Sequence, residues 1–166
     1  MKKISRIFII IAMALMVVVP GQVQEVNAWQ SSNVSLSVDE GVLDSLSATS
    51  SRITGHGWHA ITMDSPLYNA QQYIFIMDKN TGLELARYKC DSLYVKFVYR
   101  RDVEDFFEKY GKYVYTGGFE LNIPVTANMR GKTVYIMSRY TTDSRGDIAG
   151  AKYTSLGFDK KTVRIP

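Results

Sequence analysis

Hydrophobic and polar positions alternate with a period of two along most of the chain from Arg52 onward. In "GGFELNIPV", Phe119, Leu121, Ile123 and Val125 fall on one face and Glu120, Asn122 and Pro124 on the other, which predicts a half-buried strand. Pro124 donates no ladder hydrogen bond, so that end is expected at a sheet edge. "QQYIFIMD" is a continuous apolar run, "KNTG" a turn, and "LELARYKC" a return strand; together they predict a hairpin. "NMRGK" turns the chain into "TVYIMSRYT", and after the polar loop "TTDSRGDIAG" come "AKYTSLGF" and "KTVRIP".

One segment follows a different period. In "RRDVEDFFEKYG", Val103, Phe106, Phe107 and Tyr110 recur at i, i+3, i+4 and i+7, the stripe of an amphipathic helix. Asp102 is placed to cap its start and Gly111 to end it in the left-handed conformation. Arg100 and Arg101 stand where positive charge is unfavourable to the helix dipole. They are therefore expected to point away, toward a carboxylate on a neighbouring loop or an anionic ligand. About seven short strands and one short helix fit a single all-β sandwich over residues 52–166. Residues 29–51 are serine-rich. Val34, Leu36 and Val38 alternate with serines as in an edge strand, and "SLSATSS" has the composition of a linker.

Residues 1–28 have the form of an export signal. Lys2, Lys3 and Arg6 precede an uncharged apolar run from Ile7 to Val19, Pro20 and Gly21 break it, and "VNA" supplies small residues for cleavage before Trp29. The run is short of the roughly 20 apolar residues that span a bilayer. A secreted protein, extracellular or cell-surface associated and without stable membrane insertion, is expected. Without residues 1–28, the 20 basic and 16 acidic residues of the whole chain become 17 and 15. No basic block dominates one segment, which argues against nucleic acid as a partner. The single Cys90 cannot form an internal disulfide and is expected as a small buried apolar side chain.

The series "ITGHGWHA", "YIFIMDKNTGLELARYK", "RRDVEDFF", "TGGFELNIPV" and "GKTVYIMSRYTTDSRGD" resembles the small immunoglobulin-like modules of Gram-positive cell-surface proteins and peptidoglycan hydrolases. In those modules a Gly-Trp strand, a D-x-x-T-G-x-E-x-x-R hairpin, an R-x-D-V helix start, an [ST]-G-F strand and an R-Y-[ST]-x-D-x-x-G end recur in this order. The likeness covers residues 52–150. It implies an immunoglobulin-like antiparallel β-sandwich and an accessory role at the cell wall.

Candidate chemistry is sparse. In an extended strand His56 and His59 point to opposite faces and cannot share a metal, and two ligands are too few for zinc. Trp58 between them is expected to fill the core. Glu104, Asp105 and Glu108 lie on the helix's polar face, and no carboxylate pair is spaced as a glycosidase needs. No Ser-His-Asp order with an elbow glycine, phosphate-cradling loop or Cys-x-x-Cys is present. Asp143 and Asp147 fall short of a calcium loop, and the Arg145-Gly146-Asp147 tripeptide is accounted for by the loop pattern. No metal, cofactor or enzymatic activity is expected.

The aromatics carry more. Eleven tyrosines, seven phenylalanines and two tryptophans exceed what one small core needs. Tyr68, Tyr94, Tyr99, Tyr113, Tyr115 and Tyr140 lie in or beside loops, where tyrosines stack on sugar rings; with Arg101 they form the expected binding set. Tyrosine's β propensity gives the plainer alternative, a residue that covers a sheet half-exposed. The expected function is that of a secreted, non-catalytic sandwich that binds a cell-wall polymer or glycan. The alternative is a secreted effector or toxin-like protein acting on another cell.

Overall fold

The computed structural model describes residues 29–62, 66–67 and 69–166. The export-signal segment and Tyr68 lie outside the described residues. Two antiparallel sheets pack face to face, with one short helix on the outside of the smaller. The strands are β1 (Trp29–Ser32), β2 (Asp39–Ala48), β3 (Arg52–Thr62), β4 (Gln71–Asp78), β5 (Glu84–Lys89) and β6 (Val95–Val98). After α1 (Arg101–Glu108) come β7 (Val114–Pro124), β8 (Thr133–Thr141), β9 (Tyr153–Gly157) and β10 (Val163–Arg164). The larger sheet has the order β1-β9-β8-β4-β5, with β10 also paired to β8, and the smaller has the order β2-β3-β7-β6.

The predicted hairpin is β4–β5, and Phe119, Leu121 and Ile123 of β7 enter the main core as the alternation requires. That core lies between the sheets, where Ile53, Phe119, Leu121 and Ile123 meet Ile74, Ile76, Val134, Ile136 and Leu156. Burying each such side chain contributes about 1.5–3 kcal/mol against the entropy of ordering the chain. The continuous apolar run of β4 has its own cause. Tyr73, Phe75 and Met77 point outward and are covered as well, Phe75 by the guanidinium groups of Arg87 and Arg139 at 5.2 and 4.5 Å.

The serine-rich segment differs from both expectations, linker and edge strand at Val34, Leu36 and Val38: those three residues lie between β1 and β2 and outside both. Residues 39–48 form the edge strand β2, paired with β3 along its length and bulged between Leu43 and Ser45. Ser45 and Ser47 face outward and bond His56 and Thr54 across the pair, so polar cross-strand partners hold a strand that apolar alternation does not mark. Pro124 lies at the end of β7, beyond the last residue paired to β6.

The helix also differs in detail. Asp102 does not cap it: α1 starts without a side-chain cap, and Asp102 instead accepts two hydrogen bonds from Arg100, at 2.7 and 2.8 Å. The guanidinium competes for both carboxylate oxygens and wins. Its hydrogen bonds hold the Asp102 carboxyl below the ordinary aspartate range, against a smaller opposing effect of burial. Gly111 does end the helix, with φ +68°; its N–H bonds Glu108 and the next N–H bonds Phe107, the paired closure that a left-handed residue permits. Of the four-residue stripe only Val103 and Phe107 are buried, packed on Trp58, Ala60 and Val114. Trp58 is therefore a core residue beneath the helix, not between the sheets.

Candidate functional site

Strand β7 begins at one end of the smaller sheet, and β6, antiparallel to it, finishes there. The register places Phe97, Tyr115 and Gly117 on the face toward the larger sheet. A side chain at Gly117 would collide with the Tyr140 hydroxyl and the Gln72 amide, which reach across from the other sheet into the space it leaves. Above that space Phe97 and Tyr115 stack, with centroids 6.3 Å apart and planes at 21°. Tyr115 is 45% exposed, and its other contact is the edge of Tyr140 at 6.0 Å. Burial of the inner part of the ring raises the Tyr115 hydroxyl above its ordinary value.

Tyr99, 59% exposed, follows β6 and bonds Glu104 of α1, whose acceptance of that hydrogen bond raises the phenol's pKa. Tyr113, 67% exposed, precedes β7. On the outer side of α1, Phe106 and Tyr110 pack together at 5.3 Å and remain exposed. The structure thus brings Tyr99, Tyr113 and Tyr115 to one end of the smaller sheet, with Phe97 stacked on Tyr115 and with Phe106 and Tyr110 apart from them on the outer side of α1.

Three members of the expected set do not join this surface. Tyr140 is 1% exposed, because β8 continues past it to Thr141 and turns it inward; its hydroxyl donates to the His59 carbonyl at 3.0 Å. Tyr94 is half-buried against the main core, edge-on to Tyr88 at 5.5 Å. Arg101 is exposed but leans along its own helix, 3.7 Å from Asp105 one turn on. The arginine that reaches a neighbouring carboxylate is Arg100, 3.1 Å from Asp44 of β2. Phe97 was missed, since its place beside Tyr115 depends on the β6–β7 register. The alternation of Val95 and Phe97 against Lys96 was the only signal for its face.

His56 and His59 lie on opposite faces of β3. His56 is exposed and shares a 2.8 Å hydrogen bond with Ser45. His59 is fully buried and bridges the two sheets, 3.0 Å from Ser138 through Nδ1 and 2.7 Å from Asp39 through Nε2. With the ring proton on Nε2, Gln72, Ser138, His59 and Asp39 run head to tail, and Thr154 meets Asp39 from the other side. Gln72 donates to Ser138 (3.1 Å), Ser138 to His59, His59 to one oxygen of Asp39, and Thr154 to the other. Burial alone raises the Asp39 carboxyl, but hydrogen bonds from His59, Thr154 and Gln30 outweigh it and hold the pKa below the ordinary value. This is a serine-histidine-carboxylate order that sequence spacing did not reveal. Ser138 has no exposed surface, and its hydroxyl is engaged on both sides. What the arrangement supplies is cross-sheet hydrogen bonding within the core.

Among the described residues no three His, Cys, Asp or Glu side chains come together as metal ligands. Cys90 is buried, and burial beside Asp91 pushes its thiol up to about 12. In the 142–150 loop, Asp143 accepts the N–H groups of Arg145 and Asp147, and Asp147 is held by Arg87 at 2.6 Å. The Asp147 carboxylate of the Arg-Gly-Asp tripeptide is thus engaged within the fold. No protein-family model, curated protein or solved structure matches this chain.

Proposed function

We propose that this is a secreted, non-catalytic β-sandwich protein that binds a cell-envelope glycan through the aromatic end where β6 stops and β7 starts. The observation that carries the reading is the stacked Phe97–Tyr115 pair, in which Phe97 is half-buried and Tyr115 open to solvent, with the exposed Tyr99 and Tyr113 at the adjoining strand ends. Aromatic faces bind the C–H faces of sugar rings, and phenol hydroxyls bond the ring hydroxyls at small entropic cost, because a tyrosine has only two side-chain torsions. The buried Tyr140 beneath Tyr115 and the glycine between them fix the platform in position.

Binding to purified, insoluble cell walls and to defined wall glycans tests the proposal. Tyr113→Ala and Tyr115→Ala should each weaken sedimentation with the wall, Tyr113→Ala with no change in melting temperature. Wall binding that survives the double variant removes the aromatic end from the site.

A further inference from the structure

Beneath the aromatic end, at the start of β4, lies Gln72. It is 6% exposed, and its side-chain Oε1 finds no hydrogen-bond partner among the described residues. Both of its amide N–H groups are committed: Nε2 donates to the Gly117 carbonyl at 3.0 Å and to the Ser138 hydroxyl at 3.1 Å. Those two bonds fix which way the amide points, because a flipped amide would set Oε1 against the Gly117 carbonyl, acceptor to acceptor. A buried acceptor without a donor is costly, and few native side chains are left in that condition.

Oε1 is directed at the space beside Gly117, where an added Cβ would strike both it and the Tyr140 hydroxyl. Tyr140 donates its only proton to the His59 carbonyl at 3.0 Å, so it too turns lone pairs toward this space. Two side-chain acceptors therefore converge there, and neither side chain has a donor to spare. The roof is the Tyr115 ring, edge-on to Tyr140 at 6.0 Å and stacked on Phe97. The base of that ring is fixed, but Tyr115 is 45% exposed and its hydroxyl bonds no described residue. A tilt of the ring is the movement that admits a ligand atom to Oε1.

We infer, building on the glycan reading above, that Gln72 is a specificity-determining residue of the aromatic end and that the sugar it selects carries an acetamido group. A group that meets two acceptors out of water should donate there and bring no lone pair of its own. An amide N–H meets both conditions. A sugar hydroxyl also donates, but its oxygen would keep lone pairs turned toward Gln72 and Tyr140 after losing water. An ammonium has no lone pair, yet it would carry a full charge out of solvent. The planar trans amide sends its carbonyl the opposite way from its N–H, so that oxygen stays with solvent and the acetyl methyl is left for the rings of Phe97 and Tyr115.

Three soluble hexasaccharides of one backbone test this: cellohexaose, chitohexaose and fully deacetylated chitosan hexamer, which carry hydroxyl, acetamido and ammonium at the same ring carbon. Titration calorimetry of the purified protein should rank the acetamido hexamer about ten-fold above the hydroxyl hexamer, the worth of one well-made hydrogen bond, with the ammonium form weakest. Gln72→Met keeps the length of the side chain, removes the acceptor and should bring that ratio to about one. Both sugars are measured on the same folded sample, so stability lost with the Gly117 and Ser138 bonds lowers both affinities and leaves the ratio readable. Tyr113→Ala should weaken both hexamers alike and preserve the ratio. Equal affinity for the acetamido and hydroxyl forms would leave Oε1 to a buried water and overturn the inference. So would preference for the ammonium form, or a ratio that Gln72→Met does not change. Wall binding without preference for the acetamido hexamer overturns this inference alone, whereas absence of binding to walls and to every hexamer overturns the glycan reading on which it rests.

Discussion

Where β7 begins, Tyr99, Tyr113 and Tyr115 present rings to solvent and the neighbouring charges pair off locally, Arg101 with Asp105 and Arg100 with Asp102. Where β8 and β10 begin, Tyr135 is covered and lysines pair with carboxylates, Lys79 with Asp159 and Lys132 with Asp78. The same two sheets thus end in two different surfaces. The aromatic end is built by strand register: Gly117 lets side chains from the far sheet rise beneath Tyr115. The other end is built by turns, which send Met129, Phe158 and Ile165 into the main core and leave the charged residues beside them outside. The difference teaches that the sandwich imposes only its interior, while register and turn composition decide what each end offers.

Breaking the interior should abolish both ends together. His59→Ala removes the central donor of the buried chain and leaves the Asp39 carboxylate in the core without its main partner. A loss of about 3–5 kcal/mol is expected in chemical denaturation, with wall binding lost in parallel. Acid should act in the same direction. The Asp39 pKa is lowered in the fold, so the carboxylate contributes stability above its unfolded value of 3.8, and this is lost as pH falls through the lower folded value. Asp78, Asp102 and Asp143 shift the same way. Melting temperature should hold steady from neutrality down to about pH 5 and drop below about pH 4. A rise in stability on acidification would contradict the assignment of these partners.

A smaller change should separate the ends. Trp58→Ala opens a cavity under α1 and should cost about 3 kcal/mol, the low end for a large aromatic, because the helix can settle into the space. Hydrogen exchange should quicken first in residues 101–112 and the adjoining start of β7, with 129–134 and 158–165 protected until global unfolding. Uniform acceleration would mean that helix and sheets form one cooperative unit with no local opening.

The smallest effect is expected at Asp102. As an exposed partner of Arg100, its replacement by Ala should cost about 0–1 kcal/mol, and Asn should rescue little because the charge is what is lost. Full rescue by Asn or Ser would restore the capping role that the sequence predicts.

The parts of this molecule legible in the sequence are those governed by neighbours in the chain. The β4–β5 hairpin and the inward face of β7 follow from apolar spacing and turn residues alone. The edge strand β2 was obscured because its stabilising groups, Ser45 and Ser47, are polar and act only against His56 and Thr54 on the next strand. Tyr140 was readable in principle, since Val134, Ile136, Ser138 and Tyr140 share one parity, but proximity to a loop outweighed that signal. The Asp39–His59–Ser138 chain was not readable. Its members stand 20 and 79 positions apart and meet only because two sheets pack at one particular offset.

Cys90 gives the fold a built-in reporter. Its thiol is covered by the main core and lifted to about 12, so alkylating or oxidising reagents that require a thiolate find almost none in the folded molecule. Only an opened molecule returns the sulfur to an ordinary thiol pKa and lets a reagent in. In the regime where reclosing outpaces modification, the rate of thiol labelling counts the opened population directly. A single side chain at the end of the edge strand β5 therefore measures how often the molecule opens around it.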